Sequence, residues 1–168
     1  GEWRESRAES PAGGMTSLGI HAIDMFVNLF GRVKSVQAVS RRITMPYDID
    51  DSTMILMDFE NGQSGYLGSV AATGTLWQVR AFGNKGWGNI FAHDQFTAQL
   101  TDGSFIEESW DGYPYPGMPT IKAEMEAFAA DCEGGAPFPA TPDQILHATA
   151  VLEAVITSAE TGTRVTLG

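Results

Sequence analysis

Between Thr16 and Gly31 the chain places Leu18, Ala22, Met25, Phe26 and Leu29, with His21 among them, at three- and four-residue steps. That period predicts one face of an amphipathic helix. Thr16 or Ser17 is positioned to cap it by accepting an orphan backbone N–H, and Gly31 to end it. The pattern then shifts toward β. Val33–Ile43 alternates in part, and Thr53–Phe59 and Gly65–Ala72 flank Glu60-Asn61-Gly62, an Asn-Gly hairpin signal. Trp77–Phe82 and Trp87–Phe91 bracket Asn84-Lys85-Gly86, and Phe96–Leu100 and Phe105–Trp110 bracket Thr101-Asp102-Gly103. Strands joined by turns this short are antiparallel.

The proline-rich stretch 111–119 predicts a loop. Thr120–Cys132 sets Ile121, Met125, Phe128 and Cys132 on one helical face, which makes Cys132 a small core hydrophobe. A last helix begins at Thr141 with Pro142 in its first turn, lines Ile145, Leu152, Val155 and Ile156 on its buried side and closes at Gly162. Arg164–Leu167 reads as a final strand. The order predicts an α+β fold, a largely antiparallel open β-sheet with helices packed on one face. Such a sheet leaves its other face for a partner.

Composition narrows the function. Ten Lys+Arg against 21 Asp+Glu give a net charge of −11, which argues against nucleic acid and against anionic membranes. No apolar run is long enough to span a bilayer. One cysteine excludes an internal disulfide and fits a reducing, cytoplasmic setting. Only 18% of residues are charged, so part of the surface is expected to pack against something. The chain begins with Gly1 and carries no signal-peptide pattern, as expected of a piece of a longer protein.

Familiar catalytic motifs are missing. Gly83–Gly88 has the wrong spacing for a dinucleotide fingerprint and reads as a glycine-rich hairpin turn. No phosphate loop and no nucleophile elbow occur. The distinctive segment is Gly13–Asp24, where Gly13-Gly14 permits close approach and Ser17 and His21 stand four residues apart on a shared helical face. An imidazole within reach of a substrate hydroxyl can take or relay its proton. A packing role for His21 accounts for the same residues. His93 and His147 read as solvent-facing or structural.

Trp3-Arg4, the Gly13-Gly14 pair and Gly19-Ile20-His21-Ala22-Ile23-Asp24 resemble the entry to the C-terminal domain of the Gfo/Idh/MocA oxidoreductases (glucose–fructose oxidoreductase, inositol dehydrogenase and their relatives). Phe82-Gly83-Asn84-Lys85-Gly86 resembles that family's hairpin. The segment from Glu126-Ala127-Phe128 through Ser158-Ala159, Gly162, Val165 and Leu167 resembles its terminal helix pair and strand. The resemblance implies a glyceraldehyde-3-phosphate dehydrogenase-like C-terminal fold over residues 1–168, with an N-terminal Rossmann domain, absent from this chain, that binds NAD or NADP. It implies no cofactor bound by this chain alone, a substrate that is a sugar, polyol or related cyclic hydroxy compound, and no turnover without the Rossmann domain. It also implies association of like chains through the sheet face.

His21 falls on the family's histidine and is expected to be catalytic. Ser17 stands where the family commonly has Asp; it can hydrogen-bond a hydroxyl but cannot act as a carboxylate. Trp3, Arg4, Trp77, Trp87 and Tyr113 are candidate contacts to a polyol-like ligand. Two other readings fit the residues: a stand-alone carbohydrate-binding or protein-interaction module, and a metal-dependent lyase or hydrolase using His21, Asp24 and His93.

Overall fold

In the computed structural model the structure describes residues 3–92, 94–110 and 118–168, the side chains of residues 118 and 119 excepted. The chain forms two units, residues 1–73 with 140–168, and residues 74–139. The strands expected in succession divide between them into two four-stranded antiparallel sheets.

The first unit holds helix α1 (Ile20–Phe30), strands β1 (Val33–Arg41), β2 (Ser52–Phe59) and β3 (Ser64–Val70), helix α3 (Pro142–Thr161) and strand β8 (Val165–Thr166). The sheet order is β3-β2-β1-β8, and α1 and α3 pack on one another with α3 against β1. Burial alternates along the strands as period-2 geometry requires. Val36, Ala38, Ile55, Met57 and Phe59 are buried, whereas Val39, Leu56, Tyr66 and Val70 face outward. Asn-Gly works as expected: Gly62 has φ +89°, and the Asn61 side chain donates to the Phe30 carbonyl at the end of α1.

Strand β8 has only two residues and pairs with Ser35 and Val36. The β1 N–H groups on either side go to α3 instead: Val33 N–H donates to His147 Nε2 at 2.9 Å and Ala38 N–H to Ser158 Oγ at 2.9 Å. Every buried N–H needs an acceptor, and here a helix supplies it. His147 is therefore a buried structural residue. The buried side of α3 is His147, Ala148, Val151, Ala154, Val155 and Ser158. Ile145, expected inside, is exposed, because the polar contacts to β1 turn the helix toward His147 and Ser158.

The second unit is a meander, β4 (Gln78–Gly83), β5 (Gly86–Phe91), β6 (Gln95–Leu100) and β7 (Phe105–Ser109), followed by helix α2 (Met118–Cys132). Met118 and Pro119, expected in the loop, already belong to α2, since proline is tolerated in a first turn. Residues 111–117 of the expected loop lie outside the described residues. The apolar face of α2 is not core: Ile121, Met125, Phe128 and Cys132 are exposed. Phe128 meets Phe138 edge-on at 6.0 Å.

Candidate functional site

The helix that carries Ser17 and His21 begins earlier than its sequence predicts, and its first turn is wide. Met15–Gly19 form a π turn that runs directly into α1, with the Ile20 N–H reaching back five residues to the Met15 carbonyl. Such turns are rare and cluster at functional sites. Neither Thr16 nor Ser17 caps the helix. Thr16 lies inside the π turn, where its hydroxyl donates to the Pro11 carbonyl.

Glycines make this turn possible by admitting the chain's own atoms. Gly13 has φ +58°, and a Cβ on it would stand 1.9 Å from the Asp50 carbonyl oxygen. A Cβ on Gly19 would fall 2.3 Å from Met15 Sδ, and the Met15 side chain is wholly buried. The close approach at Gly13 is therefore made by backbone from the loop before β2.

The expected apolar face of α1 is in large part the open one. Ile23, Phe26 and Val27 are buried, while Leu18 is 72% exposed, Leu29 57% exposed and His21 exposed. The helix is apolar on both sides; packing against α3 takes the side centred on Ile23. Leu18, His21, Met25 and Leu29 form a stripe on the other side, with Ser17 half-buried in the π turn. A helix apolar all round is usually covered all round.

Trp3 and Arg4 lie in a short 3-10 turn, Trp3–Glu5, with the Arg4 guanidinium 4.4 Å from the Trp3 ring centroid. Among the described residues no hydrogen bond or ring contact joins them to Ser17 or His21. Trp77 and Trp87 belong to the second unit, where Arg80 lies 5.9 Å from the Trp87 ring centroid. Tyr113 lies outside the described residues.

The segment between Arg4 and the π turn is tied down by residues the sequence did not single out. Arg7 grips Asp50 with two nitrogens, Nη2 to Oδ1 at 2.7 Å and Nη1 to Oδ2 at 3.2 Å, and its backbone N–H donates to the Asp48 carbonyl. The neighbouring Asp51 carboxylate accepts from the backbone N–H groups of Met45 (2.7 Å), Thr44 (2.6 Å) and Ile43 (3.1 Å). Those N–H groups, Met45 foremost, hold its pKa below the ordinary carboxylate value against the opposing effect of burial. The Asp50-Asp51 pair just before a strand is the signal by which the sequence could have found these residues.

Two shallow cavities open in the first unit, away from His21. One of about 460 Å³ lies between α3 and β8, beside Arg32 and His147; the other, about 390 Å³, lies beside Lys34, Asp58 and Arg164. Among the described residues no three His, Cys, Asp or Glu side chains gather as a metal site, and His93 lies outside those residues. Gly83–Gly88 forms the β4–β5 hairpin, where a Cβ on Gly86 would stand 2.1 Å from the Gln99 carbonyl oxygen. The close approach at Gly86 is made by backbone of the neighbouring strand, as in a glycine-rich hairpin turn.

A sequence profile of the GFO/IDH/MocA C-terminal domain matches residues 1–88, just over half of the chain. No curated protein matches. Among solved structures, a candidate NADPH-dependent oxidoreductase from Desulfitobacterium hafniense superposes with a TM-score of 0.84 at 21% identity, covering 99% of this chain and 51% of that one. Aldose-aldose oxidoreductase from Caulobacter crescentus, complexed with glycerol, gives a TM-score of 0.79 at 23% identity over 99% of this chain and 51% of its own. Levoglucosan dehydrogenase, complexed with NADH and levoglucosan, gives 0.78 at 23% identity over 99% and 53%. The likeness is one of fold, and the chain spans about half the length of these structures.

Proposed function

The chain belongs to the GFO/IDH/MocA family as a C-terminal domain, and from that premise we propose that it is the substrate-binding and oligomerisation domain of an NAD(P)-dependent oxidoreductase acting on a sugar, polyol or related cyclic hydroxy compound. The observation that carries this reading is the uncovered stripe of α1, which presents His21 to solvent between Leu18 and Met25. A lone imidazole on a convex helix surface encloses nothing. With a Rossmann domain laid across the stripe, the same imidazole becomes one wall of a cleft. Solved proteins of this fold that are about twice as long, and bound to NADH and levoglucosan in one case, support such a partner.

The dinucleotide belongs to that partner domain, and this chain serves the substrate. Oxidation of a carbinol requires that its hydroxyl proton go to a base, and the His21 imidazole takes or relays it. The Ser17 hydroxyl, one turn earlier, hydrogen-bonds a substrate hydroxyl. Trp3 and Arg4 present a stacked pair near the chain's start for the polyol's faces and oxygens. Without the Rossmann domain the chain does not turn over. Like chains associate through the open face of the first sheet, where Val39, Leu56, Tyr66 and Val70 stand exposed.

The test is His21→Ala in the full-length protein, assayed for NAD(P)-dependent oxidation over a panel of sugars and polyols. Turnover is expected to fall about 100-fold or more, with little change in melting temperature because the side chain is exposed. Activity within twofold of the unaltered protein overturns the assignment.

A further inference from the structure

The backbone that launches the π turn is held in an uncommon conformation. Ala12 has φ +57° and Gly13 φ +58°, so two successive residues are left-handed, the first with a side chain that disfavours it. Such a turn persists only where its surroundings over-determine it. The surroundings here are two buried hydroxyls on the sheet. Ser40 Oγ of β1 lies 2.7 Å from Thr53 Oγ1 of β2, and Thr53 Oγ1 donates to the Ala12 carbonyl at 3.1 Å. With the Thr53 proton committed to Ala12, the Ser40 hydroxyl is the donor of the other bond. The Ala12 carbonyl also accepts the Met15 N–H at 3.2 Å, and Met15 is the first residue of the π turn. Thr53 is 1% exposed and Ala12 6%.

We infer that Thr53 is a positioning residue for the His21 site: its hydroxyl, backed by Ser40, holds the left-handed pair Ala12-Gly13 and thereby the wide turn that aims Ser17 and sets the rotation of α1. Among the described residues, apart from accepting from Ser40, the Thr53 hydroxyl has the Ala12 carbonyl as its one partner, and a valine would fill the same β-branched slot without it. Asp50, gripped by Arg7, closes the other side by passing its carbonyl beneath Gly13. This inference rests on the proposed role of His21.

The experiment uses the isotopically labelled chain, comparing Thr53→Val, Thr53→Ser and Ser40→Ala with the unaltered protein by amide and imidazole NMR and by hydrogen exchange. Thr53→Val is expected to shift the amide signals from Gly13 to Ile20 and the His21 imidazole signals. It should also speed exchange of the Ile20 N–H, the π-turn bond, by about tenfold or more, while Ile55 and Met57 in the same sheet exchange as before. Thr53→Ser should restore all of these. Unaltered Ile20 and His21 signals in a folded Thr53→Val chain overturn the inference, as do equal changes across the whole unit. If Thr53→Val does not fold, Ser40→Ala decides: it should move the same signals in the same direction, and no movement overturns the inference. Should Thr53→Val behave as expected while His21→Ala leaves turnover intact, the site reading fails and the structural coupling stands. Should His21→Ala abolish turnover while Thr53→Val leaves the turn unchanged, the coupling fails and the site stands.

Discussion

His147 accepts the Val33 N–H on a buried nitrogen, and that bond exists only while the imidazole is neutral at Nε2. Burial lowers its pKa, the Arg32 guanidinium lowers it further, and Asp143 and Glu60 oppose both. A histidine whose folded pKa lies below its ordinary 6.5 contributes stability that is full above that value. As pH falls from 6.5 through the lower folded value, the unfolded chain takes up the proton first, and that stability is lost. Urea unfolding between pH 8 and 5 should therefore show the midpoint falling below pH 6.5. In His147→Gln, which keeps an acceptor without titrating, this share of the fall should disappear. His147→Leu should instead lower stability at every pH by about 1–3 kcal/mol, the cost of an orphaned buried N–H. A lone histidine in a helix does not disclose such a role, because its partner is a backbone group 114 residues away.

At the scale of elements, ends were more legible than faces. Thr141 accepts from the Gln144 N–H while the Gln144 side chain accepts from the Thr141 N–H, a complete capping box, and Gly162 closes α3 in the left-handed conformation. Removing the cap by Thr141→Ala should cost about 0.5–2 kcal/mol, readable as a lower unfolding midpoint with unchanged cooperativity. Both ends arise from groups within four residues of one another, the Thr141 and Gln144 side chains at one end and the Gly162 backbone at the other, so sequence suffices. The two faces of α1 are another matter. The sequence period groups Phe26 with Leu18, Met25 and Leu29 on one face, but Ile23 and Val27 are equally apolar, and the core takes Phe26 together with them. The π turn adds a further shift, because widening one turn rotates the residues before it relative to those after it.

At the scale of the molecule, each sheet leaves apolar side chains in the open. On the first, Val39, Leu56, Tyr66 and Val70 lie outward, with the Tyr66 hydroxyl turned over Gly68 toward Met54 Sδ. If like chains associate through this face, Leu56→Lys should shift sedimentation toward the monomer while leaving the circular dichroism spectrum intact, since Leu56 is 58% exposed and supports little of the unit's own core. Retention of the same assembly state would move the interface elsewhere. The low share of charged residues predicts apolar surface of this kind, without saying where it lies.

What the amino-acid order determined alone is local: the Asn-Gly and Asp-Gly turns, the alternation that makes strands, and the caps of α3. These depend on groups a few residues apart, whose energies hardly vary with context. Tertiary structure decided which side of α1 is core, that the strands form two sheets, that His147 and Ser158 serve the N–H groups β8 leaves unmet, and that Thr53 reaches Ala12. Each of those outcomes is a competition between distant segments for the same buried surface or the same unpaired backbone group, and only the assembled chain resolves it.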